Sequence, residues 1–319
     1  MTPTFLPNVL IGHACYPEGP TGCTVILCPE GAVAGLDVRG SASGTRQTDS
    51  LSAVHRVSHI HGLLLAGGSS FGLDAGGGAL QYLEERGIGF DVTVTRVPIV
   101  PTAILFDLGF GNPAVRPDKA LGYQACLNAT DAVPLEGSVG AGTGATVGKL
   151  FSVLQATKGG LGYSAFRTEE GLIVAALVVV NAFGDVLDLE GKIIAGARTG
   201  PDDRAFADTW TCMKRGLQPK QFLVQNTTLG VILTNARLDK AEARKLAQLA
   251  QNGLVRVIAP VHTLYDGDIV FALSVGEFQA PLMQVGLLAQ EVLQAAVIRA
   301  VRSADGLGRL PAWRDLQKP

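Results

Sequence analysis

An α/β fold of layered type, with helices covering the faces of β-sheet, is predicted by three features of the sequence. Strand-like and helix-like segments come in mixed order, a long and very apolar helical segment falls late in the chain, and no linker-like stretch divides residues 1–319 into more than one domain. Near the amino end, TVILCPEGAVAGL over Thr24–Leu36 reads as two short strands around a Pro-Glu-Gly turn, a hairpin. GLDAGGGALQYLEERG, Gly72–Gly87, has apolar residues at helical spacing, a glycine-lined face and Gly87 placed to end the helix. The following VTVTRVPIVPTAILFDL alternates and then turns uniformly apolar, with Pro98 and Pro101 restricting it to an edge or irregular strand.

Leu172–Val180 is a β-branched run that ends at Asn181, and Thr227–Thr234 is a second apolar strand; both read as internal. Asp239 with Glu242 three residues on forms a capping box ahead of Ala243, Leu246, Ala247 and Ala250, the spacing of one buried helix face. Val255–Ala259 and Ile269–Val275 read as further strands, and Leu282–Val301 as the long terminal helix.

Composition narrows the function classes. A 47% hydrophobic content fills a large core, while 17% charged residues and a formal net charge of −2 leave no basic stripe for a phosphate backbone, so nucleic acid is not expected as a partner. The start, MTPTFLPNVLIG, lacks the cationic and apolar regions of a signal peptide, which predicts a cytoplasmic location. No membrane association is expected, because the longest apolar run, Leu172–Val180, falls well short of the roughly 20 residues that span a bilayer. Cys15, Cys23, Cys28, Cys126 and Cys212 are odd in number and show no CxxC spacing, so they predict buried thiols rather than a disulfide framework or zinc cage.

Four pieces carry chemistry. In VQNTTLGVILTN, Val224–Asn235, a polar Asn-Thr-Thr opens an apolar strand. Taken alone it is a turn entering a strand. If the Thr227 hydroxyl attacks the Asn226 carbonyl, the peptide becomes an ester that water releases, and Thr227 then starts a new chain. Its free α-amino group, with a reference pKa of about 7.7 to 8.0, takes the proton from its own hydroxyl. In VHTLYDGDIVFAL, Asp266 and Asp268 flank Gly267; besides forming a turn, two carboxylates hold and orient such an ammonium.

Lys149 ends the glycine-rich GSVGAGTGATVGKLFS. Thr143 and Leu150 occupy positions where a P-loop needs Gly and Ser or Thr, and the segment before Gly140, Gly142 and Ala145 is no strand, which argues against nucleotide binding. Lys149 instead supplies positive charge that helps the Thr227 hydroxyl lose its proton. Asn181, after three valines, is a turn-capping amide or an oxyanion donor.

Taken together, these segments resemble the self-processing family that includes the L-aminopeptidase/D-esterases, the β-aminopeptidases and the nylon-oligomer hydrolases. The resemblance runs through YPEGPTGCTVI from Tyr16, LAGGSSFGLDAG from Leu65, PDKALG from Pro117, the loop ending at Lys149, VVNAFGDV from Val179, QNTTLGVILTNARL from Gln225 and PVHTLYDGD from Pro260. It implies an αββα sandwich of the N-terminal nucleophile hydrolase type, cleavage into an α piece (1–226) and a β piece (227–319), and a homo-oligomer of that heterodimer, with a tetramer favoured. It also implies Thr227 as nucleophile, Lys149 and Asn181 as site residues, and Asp266 and Asp268 as the acidic pair of the nylon-oligomer branch. Relatives often place Tyr where Phe71 stands, in a position that contacts substrate, so the hydroxyl's hydrogen bond is missing here. Hydrolysis of peptides with a free amino end or of ω-amino acid oligomers is the implied activity, with no cofactor and no metal. Acyl transfer to an amine, as in ornithine acetyltransferases, and non-catalytic binding on the same fold are the alternatives.

Overall fold

The apolar run at the centre of the chain is continuous because both of its faces are buried. In the computed structural model, which describes residues 6–219 and 226–317, it is the strand Ile173–Asn181. Val174, Ala176, Val178 and Val180 point to one core, shared with two helices, while Ala175, Leu177 and Val179 point to another, shared with a second sheet.

The main strands are β1 (Leu10–Tyr16), β2 (Thr21–Val38), β3 (Gly44–Arg46), β4 (Ile60–Ala66), β5 (Thr102–Ile104), β6 (Gly160–Arg167), β7 (Ile173–Asn181), β8 (Thr227–Ala236) and β9 (Ile269–Phe278). The main helices are α1 (Ala75–Glu84), α2 (Lys119–Leu127), α3 (Lys240–Val257) and α4 (Leu282–Arg302). Hydrogen bonding links the strands in the order β6-β7-β8-β9-β2-β4-β5-β3, with β1 also on β2. The β8/β9 and β4/β5 pairs are parallel and the others antiparallel.

This continuous ladder is folded into two facing layers by β2. Its first half pairs with β1 and β4, its second half with β9, and the register against β4 slips between Leu27 and Ala32. The hairpin expected over Thr24–Leu36 is therefore one bent strand. Pro29-Glu30-Gly31, with Gly31 at φ 92°, makes a bulge that redirects the strand instead of reversing it. Ile26, Leu63 and Leu65 of one layer then meet Leu177, Val231 and Phe271 of the other.

Helices close both outer faces. Leu246, Ala250 and Leu254 of α3 and Val285, Ala289, Leu293 and Val297 of α4 cover β7 and β8. Ala75, Ala79 and Leu83 of α1 with Leu121 and Ala125 of α2 cover Val25, Leu27 and Leu64. The result is the αββα sandwich. The glycine-lined helix face has a direct use, since a Cβ at Gly122 would stand 1.9 Å from the Ala75 carbonyl oxygen and one at Gly78 2.1 Å from that of Lys119. Only glycine lets the backbones of α1 and α2 come so close.

Several boundaries differ from expectation. The helix over Gly72–Gly87 begins at Ala75, behind a 3-10 turn over Ser69–Asp74. The strand expected over Val255–Ala259 is mostly helix. Leu254 and Val257 extend the buried face of Leu246 and Ala250, and only Ile258 and Ala259 are extended, paired with Val186 and Asp185. The capping box of Asp239 and Glu242 is formed. Three thiols are buried as expected, but Cys15 is exposed and Cys212 partly so. Among the described residues no helix is long and apolar enough to cross a membrane.

Candidate active site

Register brings the predicted residues together. β7 and β8 are antiparallel with Asn181 directly opposite Thr227, so the end of one apolar strand meets the start of the other. Asn226, just ahead, bridges in parallel to Asp266. Val224 and Gln225, which open the segment quoted above, lie outside the described residues.

The Asn226 carbonyl oxygen accepts the Thr227 hydroxyl at 2.5 Å and the Gly267 amide at 2.7 Å. The Asn226 amide donates to the Tyr265 carbonyl at 2.9 Å, completing the bridge that fixes the junction. Asn226 and Thr227 are 0% and 2% exposed, so the junction between them is buried.

Asp268 accepts the Thr228 amide at 2.7 Å through one carboxylate oxygen. The other oxygen accepts the His262 amide at 3.0 Å and lies 2.9 Å from His262 Nδ1. Asp266 accepts the Phe183 amide at 3.0 Å and the Thr263 hydroxyl at 2.5 Å. Burial, and then the charge of Asp268, push the Asp266 carboxyl well above the usual carboxylate range. The pair thus brackets the Asn226–Thr227 junction, one member through its backbone and the other through the next amide.

Lys149 is buried and donates to the Thr146 carbonyl at 2.6 Å, the Thr146 hydroxyl at 3.0 Å, the Asn181 carbonyl at 3.0 Å and Asn181 Oδ1 at 2.8 Å. Burial pulls its pKa down to about 7, opposed by the charge of Asp266. The Asn181 side chain is engaged on both ends, accepting from the Thr146 amide and Lys149 and donating to the Phe106 carbonyl at 3.0 Å. Phe71 stands outside this hydrogen-bonded cluster. It is 56% exposed on the 3-10 turn, with the Arg116 guanidinium 3.6 Å above its ring. A polar groove of about 890 Å³, lined among others by Glu30, His59, Arg237 and Glu277, opens beyond the far end of β8 and includes none of these residues. The buried cluster is instead where polar groups converge on one peptide bond.

A family model described as peptidase family S58 matches residues 4–308. The chain belongs to peptidase family S58. An uncharacterized aminopeptidase of Mycobacterium leprae is 37% identical to it, covering 95% of this chain and 86% of the relative. A 6-aminohexanoate-oligomer endohydrolase of a Kocuria species is 34% identical over 93% of this chain and 84% of its own length. Among solved structures, a Burkholderia β-aminopeptidase superposes with a TM-score of 0.72 at 18% identity, covering 99% of this chain and 94% of that one. The L-aminopeptidase D-Ala-esterase/amidase of Ochrobactrum anthropi superposes with a TM-score of 0.71 at 18% identity, covering 96% and 89%. That structure is described as a variant of the Ntn hydrolase fold, so the sandwich of this S58 member is of the N-terminal nucleophile type.

His262, Thr146 and Thr263 are additions of the structure to the predicted set. His262 lies within the PVHTLYDGD segment, but its bond to Asp268 depends on a turn in which it takes φ 56°, for which loop sequence offers no periodic signal.

Proposed function

We propose that this S58 member cuts itself between Asn226 and Thr227 and then hydrolyses amide bonds through an ester on Thr227. The observation that carries this reading is the contact of the Thr227 hydroxyl with its own upstream carbonyl, in a peptide that Tyr265 and Gly267 hold in place. Attack by Thr227 Oγ1 on the Asn226 carbonyl carbon forms the C–O bond. The C–N bond then breaks and the hydroxyl proton passes to the departing nitrogen, which becomes the Thr227 α-amino group. Water hydrolyses the ester, leaving Asn226 as a carboxylate and regenerating the hydroxyl.

The new amine has an ordinary pKa of about 7.7 to 8.0 and acts as base for the second reaction, on substrate. Asp266 and Asp268 orient it. Lys149, fixed by Thr146 and Asn181, supplies the positive charge that favours the alkoxide. Asn181 holds Lys149 opposite Thr227, and its amide, which gives one hydrogen to the Phe106 carbonyl, has a second for the substrate oxyanion.

The substrate class follows from the relatives: peptides with a free amino end, or ω-amino acid oligomers such as those of the Kocuria enzyme. Incubation of purified protein and its Thr227→Ala variant with aminoacyl anilides, β-peptides and 6-aminohexanoate oligomers tests the assignment. Turnover of at least one class by the parent, and of none by the variant, is expected. Equal turnover by both excludes Thr227 as nucleophile.

A further inference from the structure

The self-cleavage step develops negative charge on one atom, the Asn226 carbonyl oxygen, and the uncut chain shows which groups touch it. One is the Thr227 hydroxyl, which attack consumes. Another is the Gly267 amide, 2.7 Å away and unchanged by the reaction. We propose that the Gly267 N–H is the oxyanion donor of self-cleavage, an assignment that rests on the function proposed above.

Three observations fix this amide in place. Asn226 and the Tyr265–Gly267 segment exchange two backbone hydrogen bonds, the Asn226 amide to the Tyr265 carbonyl at 2.9 Å and the Gly267 amide to the Asn226 carbonyl. From behind, the Ala42 amide donates to the Asp266 carbonyl at 2.9 Å, and the Arg39 and Gly40 amides donate to the Asp268 carbonyl at 3.0 and 3.2 Å. A Cβ on Gly267 would stand 2.5 Å from the Ala42 carbonyl oxygen, so the turn is wedged between that loop and the scissile peptide. The donor is therefore oriented before reaction, the condition under which a single hydrogen bond contributes most to an oxyanion. Asn181, the side-chain candidate, accepts from the Thr146 amide and Lys149 and donates to the Phe106 carbonyl.

As Thr227 Oγ1 bonds to the Asn226 carbon, the carbonyl π pair moves onto the oxygen facing Gly267. When the C–N bond breaks, that pair re-forms the carbonyl of the ester, and the nitrogen leaves with the proton that the hydroxyl lost. Gly267 gives up no proton at any stage. It donates a hydrogen bond that strengthens as the charge appears.

Gly267→Pro removes the N–H but also crowds Ala42, so the test is an ester in the backbone. Full-length chain is made by cell-free translation with glycolic acid in place of Gly267, which deletes the N–H and weakens the Asp266 carbonyl as acceptor of the Ala42 amide, and scission is followed by denaturing mass spectrometry. A second chain carries lactic acid in place of Ala42, deleting a neighbouring hydrogen bond of the same turn without touching Asn226. Scission slowed about 100-fold in the first chain and at the parent rate in the second is the expected result. Parent-rate scission in the first chain, or equal slowing in both, overturns the assignment. An uncut parent overturns self-cleavage and this assignment with it, whereas a cut parent with an unslowed first chain overturns the assignment alone.

Discussion

Among the described residues Lys149 hydrogen-bonds to no carboxylate, only to the oxygens of Thr146 and Asn181. Burial disfavours the ammonium more than the charge of Asp266 favours it, which is how a pKa of about 7 arises. Lys149→Met keeps the length of the side chain and removes the charge. Scission at pH 6, where Lys149 is mostly charged, is expected to slow by 10-fold or more on denaturing gels, and an unchanged rate removes Lys149 from the mechanism. Asp185 illustrates the opposite sign. It is 1% exposed, accepts the amides of Ala197 and Thr209, and burial raises its pKa to about 6. Between pH 4 and 6 the folded chain keeps a proton on Asp185 that the unfolded chain has lost, so its contribution to stability falls as pH rises through that window and is level above it. Denaturant unfolding of the single-chain Thr227→Ala background, compared with the same background carrying Asp185→Asn, is expected to show a difference changing by ~1–3 kcal/mol over that window. A pH-independent difference contradicts the assignment. At this scale the polar residues that interrupt apolar strands, Asn181 and Thr227, were legible because a buried amide or hydroxyl must have a purpose. Gly267 and His262 were not, because their bonds to Asn226 and Asp268 exist only once the 262–268 turn has folded.

Elements buried on two sides, or amphipathic with a marked start, were the readable ones. β7 and β8 announce themselves by unbroken apolar runs, and α3 by its capping box and by Leu246, Ala250 and Leu254 on one face. Asp239→Ala deletes the side-chain acceptor of the Glu242 amide and is expected to cost ~1 kcal/mol in the same unfolding assay, with no change in scission. A scission defect from that change would tie the site to α3 in a way the hydrogen bonds do not show. β2 was misread because Pro-Glu-Gly signals a turn in any local reading. Whether it reverses a chain or bends a strand is decided by partners distant in sequence, here β4 and β9. β4, IHGLLLA, is seven residues long, too short for periodicity to distinguish strand from helix.

For the whole molecule, the proposed cut falls at the start of a central strand. β8 belongs to the 227–319 piece, yet one of its neighbours, β7, belongs to the 1–226 piece; β9, its other neighbour, in turn pairs with β2 of the first piece. Separating the pieces would expose two rows of backbone donors and acceptors together with the apolar cores on both faces of the sheet. A molecule cut there is therefore expected to migrate as one body under native conditions, with only denaturation revealing its state. The Ntn-type sandwich was legible through resemblance, whereas its closure by one strand shared between layers was visible only in the pairing. Intact mass of the purified protein under denaturing conditions, after native gel filtration, tests the central claim most directly. One native species that resolves into residues 1–226 and a second chain beginning at Thr227 is predicted, and a single chain of 33.2 kDa would contradict it.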